Sequence, residues 1–344
     1  MRITRKRAVF GLVGLLLGGM LFAWSGLFNV AASSGHWAVT DWFLHWVMRN
    51  SVATWTRIEA PEQPVDPAGL ISAAGLYDQS CAACHGAPGV SPLPVMQAAI
   101  PAAPDLADKA PEWTDAQLFW IIKHGVKFTG MPAWAAAHRD DEIRRMAGFV
   151  RGLPGMSPAR YRALTRDPRE TGADPLLAGC TGCHGVDGLG RGGEDIPVLG
   201  GQAPAVLEKA LADYASGVRP SAVMANAAAR LTPADRRRLA SHFAALPGLP
   251  GGRPAASRDS AEQLYHHGLA ERELPACARC HDGNGTAAPR LTGQKAAYVA
   301  GRLRAWQAEE AVEARLPSDT MAVIARRIPE EMIDMLAQHV DGTQ

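Results

Sequence analysis

The sequence predicts an all-α protein, with three small helical domains in tandem behind one long apolar helix. Three observations predict it. A five-residue pattern, Cys-x-x-Cys-His, occurs at Cys81, Cys180 and Cys277, with starts 99 and 97 residues apart. Between these patterns apolar residues recur at three- and four-residue spacing, as along one face of a helix, and stretches rich in proline and glycine separate them. No charged residue occurs from Ala8 to Ala32.

Residues 1–7 are basic, and the 25 uncharged residues that follow are long enough to cross a bilayer core of ~30 Å at ~1.5 Å per residue. A secretory signal is the rival reading, with Val30-Ala31-Ala32 as its cleavage site. The run exceeds the ~7–15 residues of a signal's apolar region and has no polar segment before that site, so residues 1–33 are expected to form a basic stub and a retained anchor. The basic flank then stays in the cytoplasm and the rest is exported. Residues 34–67 are expected to be an aromatic interfacial segment and a linker. Trp42, Phe43, Trp46 and Val47 share one helix face, His36 and His45 are polar interfacial residues, and Pro61, Pro64 and Pro67 mark the linker.

The first domain is expected over 68–156. Leu70, Ile71, Ala74 and Tyr77 make a helical stripe leading to Cys81; Thr114 caps a helix to about Lys123, and Asp140 caps another to Arg151. The second, over 173–249, repeats this plan with a shorter approach helix. Its Gly185–Gly193 stretch lacks the Gly-Lys-Ser/Thr ending of a phosphate loop and reads as a loop over the edge of a bound group. Thr232-Pro233 starts its last helix. The third, over 259–344, follows a Pro250–Pro254 linker and ends with a helix after Pro329.

Apolar residues make up 47% of the 344, which excludes a disordered chain, and a net charge of +1 gives no footing for nucleic acid. Lys and Arg against Asp and Glu number 7 and 8, 7 and 7, and 9 and 13 in the three domains. The last is thus acidic, and Glu309, Glu310 and Glu313 read either as a solvated helix face or, as the expectation to test, as a docking patch for a basic partner.

Two cysteines three apart share one face of a helical turn, so both thiols reach one porphyrin. With the histidine that follows, the pattern is the attachment site of a c-type haem: Cys81, Cys84 and His85; Cys180, Cys183 and His184; Cys277, Cys280 and His281. A zinc ribbon needs two such pairs to converge, and a thiol redox motif does not require the histidine. All six cysteines are used in this way, with none left for a disulfide. Methionine is the usual sixth ligand for electron transfer. Met224 and Met321 each lie 40 residues after their histidine, in matching local sequence, and Met131 lies 46 after His85. All three are expected on loops before the final helix, whereas Met146 fits an apolar helix face and reads as core.

With these motifs in place, each domain resembles a class I cytochrome c. The second and third resemble the tandem dihaem cytochromes c of the bacterial periplasm, sharing Pro197-Val198-Leu199-Gly200-Gly201-Gln202 and Pro289-Arg290-Leu291-Thr292-Gly293-Gln294. The resemblance implies that the carbonyls of Pro197 and Pro289, and of Pro104 in the first domain, accept a hydrogen bond from the proximal histidine. His339 departs from the pattern, which has an aromatic residue there. The resemblance further implies a triple-haem electron carrier on the periplasmic side of a bacterial inner membrane. Its three covalent haems would pass single electrons from a dehydrogenase or quinol-oxidising complex to a terminal oxidase, or serve within a larger oxidoreductase. No catalytic set is marked. A peroxidase needs an open or displaceable ligand, and three methionines in ligand position stand against it.

Overall fold

The computed structural model describes residues 4–59, 66, 69–172, 174–250, 260–281, 288–308 and 320–341. Glu309, Glu310 and Glu313, the prolines of the first linker and residues 251–254 lie outside them. Among the described residues every regular element is helical, and β pairing is limited to two isolated bridges, Ala87 with Val90 and Leu269 with Leu274.

The first helix, Arg5–Trp24, has 20 residues and buries none of them. The uncharged stretch is therefore not one helix. The Ser25 hydroxyl donates back to the Phe22 carbonyl at 2.6 Å, and Gly26 adopts φ +71°, which together stop the helix. The next helix, Ala38–Glu59, divides by surroundings. Its amino half exposes Trp42, Phe43 and Trp46, with the two indoles stacked at 6.2 Å. Its carboxyl half buries Val52 and Thr56 against the Asp115–His124 helix. Arg49 pairs with Glu112 and lies over the Trp113 ring, and Trp120 Nε1 donates to Glu59 at 3.0 Å.

In the first repeat the Leu70–Leu76 helix packs on Asp140–Arg151. The approach to the first Cys-x-x-Cys-His pattern continues through a widened turn, Tyr77–Cys81, into Ala82–His85. Tyr77 is buried with its ring 5.1 Å from Phe149, and its hydroxyl donates to the Gly86 carbonyl at 2.7 Å. Thr114 forms a capping box with Gln117, as the sequence suggests. Asp140 does not cap: it is the first helical residue, and its carboxylate accepts from Lys123 Nζ at 2.7 Å. The Pro158–Thr165 helix adds Tyr161 and Leu164 to the same core.

The second repeat holds Pro175–His184, Pro204–Ala215, Ala222–Ala228 and Pro233–Ala244. The third holds Ser260–His267, Ala278–His281, Ala296–Ala308, Thr320–Ala325 and Glu330–Asp341. Its approach helix is broken at Gly268, with φ +75° and the Leu274 carbonyl 2.2 Å from where a Cβ would sit. Leu264, Leu303, Ile333 and Val340 form its core. His339 is packed 5.5 Å from Tyr265, ring to ring. Met131 is on a loop, but Met224 and Met321 are not: each lies in a short helix, because Ser221 accepts the Met224 N–H and starts one turn there, and Thr320–Ala325 forms another.

Candidate functional site

The proximal geometry follows from the backbone. Each Cys-x-x-Cys-His pattern ends a helix, and the histidine side chain turns toward a proline carbonyl downstream. His85 Nδ1 lies 2.8 Å from the Pro104 oxygen and His281 Nδ1 lies 2.7 Å from the Pro289 oxygen. A carbonyl only accepts, so Nδ1 carries the proton at both, and Nε2 keeps a lone pair for a metal. His184 is buried, as His281 is. Burial pushes it down to about 4, against the pull of the Pro197 carbonyl, although that oxygen does not complete a hydrogen bond to Nδ1. Burial also lowers His281. Both imidazoles are neutral at pH 7, the form that binds iron.

Burial pushes the thiols of Cys81, Cys180, Cys183 and Cys277 up to about 11, so as free groups they are protonated at pH 7. Among the described residues no three of His, Cys, Asp and Glu converge as a metal site.

One cavity of about 810 Å³ gathers two of the three residue sets. Cys180, Cys183, His184, Pro197 and Met224 line it together with Cys277, Cys280, His281, Pro289 and Met321. Most of the remaining wall is apolar, including Leu239, Phe243, Leu303 and Ile328. Cys81, Cys84, His85 and Met131 do not line it. The first repeat reaches this cavity by a different face, through Gly75, Arg139 and Glu142. At Gly75 a Cβ would come within 2.6 Å of Cys183 Sγ, so only glycine allows the two segments to approach this closely.

The cavity also holds buried positive charge that the sequence reading did not single out. Arg302 is 7% exposed, and none of its guanidinium nitrogens has a hydrogen-bond partner among the described residues. It stacks over Trp306 at 4.6 Å, and burial, reinforced by the charge of Arg219, lowers its pKa. Arg219 donates to the Tyr298 hydroxyl at 2.8 Å and leaves Nε unpartnered. A buried guanidinium without an acceptor is costly, and an anion in the cavity satisfies it. Haem fits: an apolar plate with two carboxylates, facing neutral histidines and cysteine pairs. The signal in the sequence was an arginine on an apolar helix face, between Val299 and Trp306.

The shared Pro-x-x-x-Gly-Gln segments meet each other. The Gln294 side chain accepts from Val198 N at 2.9 Å and donates to Val198 O at 3.0 Å. Gln202 does the same to Arg290, at 3.0 and 3.2 Å. Both glutamines are buried. Each therefore fixes, in the other repeat, the residue next to the proline that faces the proximal histidine.

The family described as cytochrome c oxidase, cbb3-type, subunit III matches residues 70–150. A thiosulfate dehydrogenase electron acceptor of Stutzerimonas stutzeri (strain A1501) is 31% identical over 175 residues, which are 49% of this chain and 80% of that protein. Cytochrome c4 of Stutzerimonas stutzeri is 29% identical over 182 residues, 48% of this chain and 85% of its own. Among solved structures, reduced recombinant cytochrome c4 from Pseudomonas stutzeri is 29% identical, covering 49% of this chain and 95% of that one with a TM-score of 0.41.

Proposed function

Because the chain belongs to the cytochrome c family, we propose that it is a membrane-anchored carrier that passes single electrons through three covalently attached haems. The observation that carries this reading is the shared cavity. Two complete sets of cysteines, histidine and methionine line it, beside an arginine that needs an anion. Haem supplies one-electron chemistry at iron, cycling between Fe(III) and Fe(II).

The chain's own residues do the holding. Cys81 with Cys84, Cys180 with Cys183, and Cys277 with Cys280 would attach the three groups, and His85, His184, His281, Met131, Met224 and Met321 would supply the iron ligands. The carbonyls of Pro104 and Pro289 orient His85 and His281, Pro197 would do so for His184, and Arg219 with Arg302 would supply the positive charge for the haem carboxylates. Each repeat, over 68–156, 173–249 and 259–344, is one cytochrome c domain. The electron donor is a dehydrogenase or a quinol-oxidising complex, and the acceptor a terminal oxidase. The first is supported by the named role of the thiosulfate dehydrogenase electron acceptor and the second by the cbb3-type oxidase match over 70–150. The haem domains lie in the periplasm of a bacterium, held at the inner membrane by Arg5–Trp24.

The test is the mass of the denatured chain, which should exceed that of the polypeptide by three haems. In the oxidised protein, the weak near-infrared sulfur-to-iron band should have the intensity of three His/Met sites. Haem lost on acid extraction, or a band of fewer than three sites, overturns the corresponding part of the reading.

A further inference from the structure

Glu142 and Asp167 are the only buried carboxylates among the described residues. Glu142 belongs to the last helix of the first repeat, yet its hydrogen bonds go to the second. Its Oε1 accepts the Ser221 hydroxyl at 2.6 Å, and its Oε2 accepts the Ala222 N–H at 2.8 Å. One turn earlier, Arg139 donates to the Pro220 carbonyl at 2.9 Å and lies 3.1 Å from Glu142. Arg139 is itself fixed by two bonds of 2.8 Å to Asp141. Three hydrogen bonds thus clamp Pro220, Ser221 and Ala222.

The clamp leads straight to a proposed ligand. Ser221 Oγ, having given its proton to Glu142, accepts the Met224 N–H at 3.1 Å. A hydroxyl has one proton, so the carboxylate fixes which way the serine points and keeps its lone pairs turned to Met224. The contact sits at the wall of the cavity that Met224 lines, and Glu142 and Arg139 line it too. A packing contact between repeats would not require a buried charge; a carboxylate removed from water keeps its place only where several donors meet it.

We propose that Glu142 and Arg139 are positioning residues for Met224, so that the first repeat governs how firmly the second haem keeps its sulfur ligand. This rests on the reading of Met224 as that ligand. Losing a charge-assisted hydrogen bond to a buried group weakens retention about tenfold, which is about one unit in the pH at which another ligand displaces the sulfur.

The experiment uses the full haem-loaded chain in the oxidised state and titrates the near-infrared band with pH. Met224→Ala identifies the share of the band that belongs to the second haem. Glu142→Ala and, as a milder variant that keeps the carboxylate, Ser221→Ala should each lower the bleaching midpoint of that share by about one unit. The share lost in Met321→Ala should titrate as in the unsubstituted protein. If Met224→Ala removes its share but both clamp variants titrate normally, the positioning role is wrong and the ligand reading stands. If the clamp variants shift all shares together, the contact only holds the repeats in place and the proposal fails. An unchanged band in Met224→Ala overturns the ligand reading and this proposal with it.

Discussion

At the residue scale, Asp167 shows how a single carboxylate organises the loop that follows His184. It is 3% exposed and accepts from Arg169 N, Nε and Nη2 and from Val186 N, the last at 3.0 Å. The hydrogen bonds from Arg169, then those from the backbone, hold its pKa well below the usual carboxylate range against the effect of burial. The unfolded chain therefore takes up a proton near pH 4 that the folded chain refuses, so this contribution is full above that pH and is lost as pH falls further. Asp167→Asn should cost ~2 kcal/mol at pH 7 by chemical denaturation and flatten the stability loss between about pH 4 and pH 2. An unchanged acid limb would remove Asp167 from that role. Arg302 makes a second prediction. A positive charge favours the iron state with fewer positive charges, so Arg302→Leu should lower a haem midpoint by an amount on the order of tens of millivolts in redox titration.

What the sequence could and could not reveal divides along the same line. The cysteines, histidines and methionines can be proposed from the sequence because their chemistry fixes spacing along one chain. Glu142 and Gln294 act across the gap between repeats, and nothing in linear spacing says which segments will face one another. Likewise the capping box at Thr114 was readable, while Asp140 was misread as a cap because its partner, Lys123, lies on another helix.

At the element scale, the exchanged glutamines tie together the loops beside His184 and His281. The sequence showed the matching Pro-x-x-x-Gly-Gln segments but not that each serves its counterpart. Gln294→Leu leaves the half-buried Val198 N–H and carbonyl without their partner, at a cost of ~1 kcal/mol. Its effect should cross over. The midpoint of the second haem should move while the third, in whose own repeat Gln294 lies, moves less; Gln202→Leu should do the reverse. Potentials resolved haem by haem, with each Met→Ala variant to assign them, read the outcome. A shift confined to the substituted repeat would mean that the glutamines hold only their own loops. The Met-bearing helices also belong at this scale: the reading placed Met224 and Met321 on loops because six- and seven-residue helices leave too few turns for periodicity to show.

At the scale of the whole molecule, the proposed attachment to a membrane involves the first two helices. Arg5–Trp24 is 20 residues, ~30 Å at ~1.5 Å per residue, which matches a bilayer core. Beyond it, the Ala38–Glu59 helix is half wet and half packed: Trp42, Phe43 and Trp46 are 50% exposed or more, while Val52 is 1% exposed against the first repeat. Indoles prefer the headgroup layer, where the ring is apolar and the N–H is wet. The amino half is thus suited to lie in that layer, and the Arg49–Glu112 and Trp120–Glu59 contacts pass its orientation to the first repeat. A variant lacking residues 4–24, exported by a cleavable signal, should leave the membrane pellet only in part, because the aromatic half still binds the interface. Adding Trp42→Ser and Trp46→Ser should move the remainder to the soluble fraction. Full release by the deletion alone would limit attachment to the first helix. A mature chain that begins at Ser33 on N-terminal sequencing would show that the first helix is removed, leaving the tryptophans as the membrane contact.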